Sequence, residues 1–216
     1  MLPIQLKSDG SVLRILAIGA HCDDLEIGAG GTLLELVASR PVHVDWIVLT
    51  STPDRAAEAE ASAQELLAGG CSSVKMHTFR DGFLPYEGAP VKEAFESLKE
   101  LTEPDLILTH TRSDLHQDHR LANELTWNTF RDHLILEYEI PKYDGDLGQP
   151  NVFVAVSSEQ LERKIKLVLE AYGTQTSKSW FDADMLRAIM RLRGVESNAP
   201  ERHAEAFYGP KLTLDF

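Results

Sequence analysis

Short apolar runs alternate with helix-period segments from Val12 to Arg193, and this alternation constrains the fold of the 216-residue chain more than any other feature. Val12 to Gly19 is an apolar run ending in small residues and reads as a buried strand. A Gly-rich stretch to Gly31 leads into Thr32 to Ser39, a Leu-rich helical segment that Arg40 and Pro41 stop. Val42 to Thr50, rich in Val, Ile and Trp, reads as a second strand. Asp54 suits the N-cap of a helix through Leu67, which Gly69 and Gly70 end. Val74 to Phe79 is a third strand, and Pro90 suits the first turn of a helix reaching about Leu101. Leu106 to Thr109 is a fourth strand, followed by a helix from about Asp118 to Phe130. Leu134 to Ile140 is a fifth strand, Pro141 to Pro150 a polar loop, and Val152 to Val156 a further strand. Ser157 and Gln160 have capping-box spacing. The helix that follows carries Leu161, Ile165, Val168, Leu169 and Tyr172 on one face and ends at Gly173. A last helix runs from Ala183 to Arg193 and stops at Gly194.

This order predicts one α/β domain over residues 1–216, a mostly parallel sheet with helices on both faces. The length suits one core rather than two. Ligands of such sheets bind at the carboxyl ends of the strands. The formal net charge of -13 argues against a nucleic-acid backbone as partner, because affinity for phosphates comes from Lys and Arg. Cys22 and Cys71 form neither a metal-type pair nor a disulfide framework, so a reducing cytoplasm is the default expectation. The stretch from Met1 to Gly10 lacks the pattern of a signal peptide, and no apolar run is long enough for a membrane span. A membrane-borne substrate would be met from the water side.

Two polar clusters follow strands and therefore fall on one sheet edge. The first is His21, Asp23 and Asp24. The second is Asp114, His116, Asp118 and His119. His and Asp are the nitrogen and oxygen ligands of zinc, and a catalytic zinc takes three protein ligands with a position left open. His21 and Asp24 are three apart, as are His116 and His119, so a turn or one helical turn can converge each pair. Asp23, beside a ligand, suits the general base that takes a proton from water. A histidine that is not a ligand would stabilise an oxyanion or protonate a leaving amine, held in one tautomer by a further carboxylate. Spacing alone does not assign these jobs within the second cluster. Each cluster taken alone also reads as a capped helix start; the occurrence of both in one sheet favours the metal reading.

The two motifs resemble those of the PIG-L/LmbE-like N-acetylglucosaminyl deacetylases. Ala20-His21-Cys22-Asp23-Asp24, followed by a Gly-rich segment to Gly31, matches the family's Ala-His-Pro-Asp-Asp. His116-Gln117-Asp118-His119-Arg120, preceded by Thr109-His110, matches its His-x-Asp-His. Arg55 with Glu58 and Ala204-Glu205-Ala206-Phe207 are weaker matches. The resemblance implies a Rossmann-like fold and hydrolysis of an N-acetyl group from an amino sugar or sugar conjugate. It implies zinc, with iron(II) or another divalent ion as an alternative, on His21, Asp24 and His119. It further implies Asp23 as general base, His116 at the oxyanion or leaving group with Asp118 orienting it, and Arg55 on the substrate. Cys22 stands where the family usually has Pro, and is expected to pack as a small residue rather than to join the ligands.

His110 ends a strand on the same edge and is expected to line the substrate pocket. Trp46, Trp127 and Trp180 suit core or surface packing, with sugar stacking as the alternative. The loop carrying Tyr143, Asp144 and Asp146 either covers the substrate or simply connects. Two other function classes compete: a metal-containing module that binds a sugar or partner without turnover, and a nucleotide-binding oxidoreductase. Gly28, Gly30 and Gly31 do not complete the G-x-G-x-x-G pattern that the last would need; close helix–sheet packing explains them better. The partner expected is a small N-acetylated sugar, and a homo-oligomer is compatible with the sequence.

Overall fold

A computed structural model describes residues 3–6, 10–68, 70–100 and 103–213. The strands are β1 (Leu13–Gly19), β2 (Val42–Thr50), β3 (Cys71–Phe79), β4 (Leu106–His110), β5 (Ile135–Tyr138), β6 (Val152–Ala155) and β7 (Ala204–Tyr208). The helices are α1 (Asp24–Ser39), α2 (Pro53–Leu66), α3 (Gly88–Leu98), α4 (Gln117–Thr129), α5 (Ser158–Ala171) and α6 (Ala183–Ser197). The strands form one seven-stranded sheet in the order β3-β2-β1-β4-β5-β7-β6. β1 pairs in parallel with β2 and β4, β2 with β3, and β4 with β5, while β7 runs antiparallel to both β5 and β6.

Because successive side chains of a strand point to opposite faces, β1 feeds two cores. Ile15 and Ala17 join Val44, Trp46, Leu33, Ala63, Val168 and Leu186 on the face covered by α1, α2, α5 and α6. Leu16 and Ile18 join Ile47, Leu49, Val91, Phe95, Ala122 and Leu125 on the face covered by α3 and α4. The expected mostly parallel sheet with helices on both faces is therefore present. Among the described residues no helix is long and apolar enough to cross a membrane.

Several boundaries differ from the sequence reading. α1 starts at Asp24, so the glycines expected ahead of the helix lie inside it. The cause is packing: a Cβ on Gly28 would sit 2.3 Å from the Tyr138 ring, and one on Gly31 would sit 3.0 Å from Glu205 Oε1. α2 is capped by the Thr52 side chain, which accepts from the Arg55 N–H, with Pro53 in its first turn; Asp54 is therefore inside the helix. β5 is shorter than expected because the chain leaves the sheet after Tyr138. α6 passes through Gly194 and ends at Asn198, whose φ of 53° is left-handed. Gly194 is there because a Cβ would lie 2.1 Å from the Arg202 carbonyl oxygen. β7 was not anticipated as a strand, since its five residues include the charged Glu205. The expected helix limit at Leu101 and the stop at Gly69 lie outside the described residues.

Glu205 explains why β7 tolerates a charge. Its oxygens accept from the mid-helix N–H groups of Gly31 and Thr32 at 2.7 Å each, and Lys164 Nζ lies 2.6 Å from its Oε1. Lys164 also donates to the Ile27 carbonyl at 2.6 Å. A buried ion pair thus inserts beside the α1 backbone ladder and ties α1, α5 and β7 together.

Candidate active site

The carboxyl ends of the parallel strands supply the site. The turn after β1 carries His21 and Asp23, and Asp24 opens α1, where the positive end of the helix dipole favours a carboxylate. The first turn of α2, after β2, carries Arg55. Asp81 follows β3, His110 ends β4, and His116, Asp118 and His119 stand at the start of α4. Lys142 follows β5. His21, Asp23, Asp24, Arg55, Asp81, His116, His119, Ile140, Lys142, Lys178 and Trp180 line a cavity of about 110 Å³. The sheet edge chosen from the sequence is the one that holds them.

His21, Asp24 and His119 converge. His21 Nδ1 lies 3.0 Å from His119 Nε2 and 3.3 Å from Asp24 Oδ2, and His119 Nε2 lies 3.5 Å from Asp24 Oδ1. Second contacts set the proton positions. His119 Nδ1 faces Asp114 Oδ2 at 2.8 Å and must donate to it, which leaves a lone pair on Nε2. His21 Nε2 faces Asp118 Oδ2 at 3.3 Å and Asp81 Oδ1 at 3.2 Å, so a proton belongs on Nε2, and Nδ1 is the nitrogen turned toward His119 and Asp24. Donor atoms this close need positive charge among them, supplied either by a second proton on His21, as its raised basicity allows, or by a divalent ion that displaces it. Tetrahedral ligands at bond lengths of about 2.0–2.2 Å are separated by roughly 3.3–3.6 Å, close to these spacings. The donor set therefore fits a divalent ion. His116 also lies within ligand-atom reach of His21 and His119.

The ionisation of these groups follows from their surroundings. Burial alone would depress His21, yet the carboxylates of Asp24, Asp118 and Asp81 hold its imidazole well above its ordinary value. Burial would raise Asp24, but His119, His110 and His21 hold it well below the usual carboxylate range. Burial pushes His119 down to about 3, helped by the neighbouring His110. Asp23 is raised by burial and by the charge of Asp24, with Arg55 opposing. Arg55 Nη2 donates to Asp23 Oδ1 at 3.1 Å, and its Nη1 lies 3.6 Å from Asp81. A raised carboxyl held by one guanidinium is suited to receiving a proton.

His116 caps α4: its Nδ1 accepts from the backbone N–H of Asp118 at 3.3 Å. That bond places the ring proton on Nε2. Burial and the nearby His21 lower its basicity, which favours a neutral donor. Asp118, expected to orient His116 with its carboxylate, orients it through its backbone instead. Its carboxylate accepts from Gly82 N–H at 2.7 Å and Leu84 N–H at 3.1 Å and faces His21.

The placement of His110 corrects the expectation that it lines the pocket. It is fully buried beneath Asp24, with Nε2 3.1 Å from Asp24 Oδ2 and its ring stacked on His119 at 3.8 Å. The last residue of β4 points under the α1 terminus rather than out of the sheet edge. Cys22 packs in the core, its Sγ directed at the Thr50 carbonyl at 3.6 Å, and burial pushes its thiol up to about 12. It is therefore a packed thiol and not a ligand-like thiolate.

Asp81, Lys142 and Lys178 were missed as site residues, while Trp180, read as packing with sugar stacking as the alternative, lines the cavity. Asp81 and Lys142 each follow a strand of the same edge, and that position was the available signal. Lys142 Nζ bridges Asp114 Oδ1 at 2.9 Å and Asp146 Oδ2 at 2.7 Å. The loop from Pro141 to Pro150 is thereby tied to the carboxylate that holds His119. Tyr143 also reaches the segment carrying Trp180, its hydroxyl 3.1 Å from Ser179 Oγ.

Comparison with known proteins gives the family and the fold. The Escherichia coli protein described as uncharacterized deacetylase YaiS is 29% identical over 170 residues, covering 74% of this chain and 91% of that one. N,N'-diacetylchitobiose deacetylase from Pyrococcus horikoshii superposes with a TM-score of 0.68 at 21% identity, covering 90% of this chain and 82% of that one. GalB, the 4-carboxy-2-hydroxymuconate hydratase from Pseudomonas putida, superposes with a TM-score of 0.74 at 17% identity, covering 94% of this chain and 99% of that one. At these identities the two structures establish the fold and leave the chemistry to the site. The family model PIG-L, described as GlcNAc-PI de-N-acetylase, matches residues 16–130, a span that holds both motifs. The chain belongs to the PIG-L family and is an enzyme of the deacetylase type.

Proposed function

We propose that this chain hydrolyses the N-acetyl group of an amino sugar or sugar conjugate, using a divalent metal, zinc in the first instance, held by His21, Asp24 and His119. The observation that carries the reading is the convergence of two imidazole nitrogens and one carboxylate beside Asp23, in a cavity that also exposes His116. When bound, the cation supplies Lewis acidity toward the acyl carbonyl and acidifies water.

The chain's own residues do the rest. Asp23 accepts the proton of the attacking water, its carboxylate oriented by Arg55. His116, with its proton on Nε2, donates a hydrogen bond to the oxygen of the acyl group as charge develops there. Asp23, once protonated, or His116 then delivers a proton to the amine that leaves. Arg55 and Trp180 bound the space in which the sugar lies. The acetylated disaccharide named for the Pyrococcus relative supports a sugar-sized substrate.

Incubation with a panel of N-acetylated amino sugars, with and without added zinc, tests the reading by release of acetate and free amine. Replacing Asp23 by Ala should lower turnover by on the order of 10²–10⁴-fold and leave metal content unchanged. Equal turnover in parent and variant would reject Asp23 as base. A module that binds sugar without turnover predicts saturable binding and no acetate.

A further inference from the structure

The turn that carries Asp23 is tethered peptide by peptide. The Ala20 carbonyl accepts from Thr50 N–H at 2.9 Å and Thr50 Oγ1 at 2.8 Å, and Ala20 N–H donates to His110 Nε2 at 3.0 Å. His21 N–H donates to Asp24 Oδ2 at 2.6 Å. The Cys22 carbonyl, which belongs to the same peptide unit as the Asp23 nitrogen, accepts from the Tyr172 hydroxyl at 2.5 Å. Tyr172 stands at the C-cap of α5, 150 residues away along the chain, and is fully buried.

Tyr172 has a second partner, Glu26 Oε1, but only one hydroxyl proton. That proton lies between two acceptors, the Cys22 carbonyl and the Glu26 carboxyl oxygen, both within hydrogen-bond distance of the hydroxyl. One hydroxyl thereby joins the Glu26 side chain to the peptide unit preceding Asp23. Cys22 contributes nothing comparable, since its side chain makes one long sulfur contact to Thr50.

We infer that Tyr172 is a positioning residue: its hydroxyl fixes the Cys22–Asp23 peptide and thereby aims the Asp23 carboxylate into the cavity. It touches no reacting atom. The catalytic part of this inference rests on the proposed role of Asp23, whereas the tether itself does not.

The variant Tyr172→Phe keeps the ring and removes the hydroxyl. Hydrogen exchange followed by mass spectrometry reads the tether without any substrate. Exchange in peptides covering residues 19–27 should rise by roughly two- to tenfold, as for one lost hydrogen bond, while the first turns of α5 stay unchanged. Unchanged exchange in 19–27, or an equal rise along all of α5, overturns the inference. In the assay on N-acetylated amino sugars, kcat should fall roughly tenfold or more with KM and metal content unchanged, because a misaimed base affects the chemical step. A parent-like kcat overturns the positioning role. If the parent chain turns over none of these sugars, the deacetylase reading fails and the exchange result alone decides the tether.

Discussion

His119 Nδ1 and Asp114 Oδ2 lie 2.8 Å apart with both side chains buried. That one bond decides which imidazole nitrogen faces the centre shared with His21 and Asp24. Burial alone would raise the Asp114 carboxyl, but His119 and Lys142 hold it well below the usual carboxylate range, so it stays an acceptor. Partners of this kind are worth about 10–100-fold in metal affinity. Asp114→Ala should therefore weaken zinc binding by about that factor. Competition with a chromogenic chelator measures it, and an affinity equal to the parent's would show that His119 is oriented without Asp114.

The proposed metal dependence has a definite sign with pH. Histidine ligands must be deprotonated to bind; His119, pushed down to about 3, is already neutral in this range, so protons and metal compete at His21, which is held above its ordinary value. Zinc affinity should fall as pH is lowered from about 8 to about 5, and release of the His21 proton should accompany binding through this range. Dialysis against a chelator should abolish acetate release, and added zinc should restore it. Calorimetry in buffers of different ionisation enthalpy counts the released protons. Binding without proton release near pH 5 would contradict histidine ligation.

Both motifs and their edge of the sheet were legible because each motif follows an apolar run, and strand ends collect functional groups in parallel sheets. What escaped depends on distant packing. His110 reads as a pocket residue from its place at the end of β4, but the α1 terminus covers it. β7 was unreadable because Glu205 breaks its apolar pattern, and its compensation by Lys164, Gly31 and Thr32 comes from other elements. The roles of Asp118 likewise turned on which neighbour its carboxylate reached, a choice that spacing does not encode. The early start of α1 was hidden by its glycines, which look like loop residues until Tyr138 is seen against Gly28.

That contact separates two glycines of similar appearance. A methyl group on Gly28 would lie 2.3 Å from the ring of Tyr138, which is fully buried and donates to the Ile18 carbonyl at 2.7 Å. Gly28→Ala should therefore destabilise the fold by about 1–3 kcal/mol through overpacking. A Cβ on Gly88, at the start of α3, meets nothing within 4 Å, and its φ of -52° is helical. Gly88→Ala should be neutral or stabilising by up to about 1 kcal/mol. Urea denaturation of the two variants checks both signs, and equal effects would reject the packing argument for Gly28.

The ion pair between Lys164 and Glu205 makes the strongest claim on stability. Their side chains are 1% and 4% exposed. Removing one partner strands a buried charge, and such changes cost about 3–5 kcal/mol. Lys164→Met leaves Glu205 with the Gly31 and Thr32 N–H groups but no cation. Glu205→Gln leaves the ammonium with neutral acceptors, an amide oxygen and the Ile27 carbonyl, and no counter-charge. Each single variant should lose about 3 kcal/mol or more. The double variant should lose less than the sum of the two, because neither charge is then left alone. Urea midpoints for the four proteins complete the cycle. Additive losses would mean that the two residues act independently, and that the pair does not serve as one clamp between α1, α5 and β7.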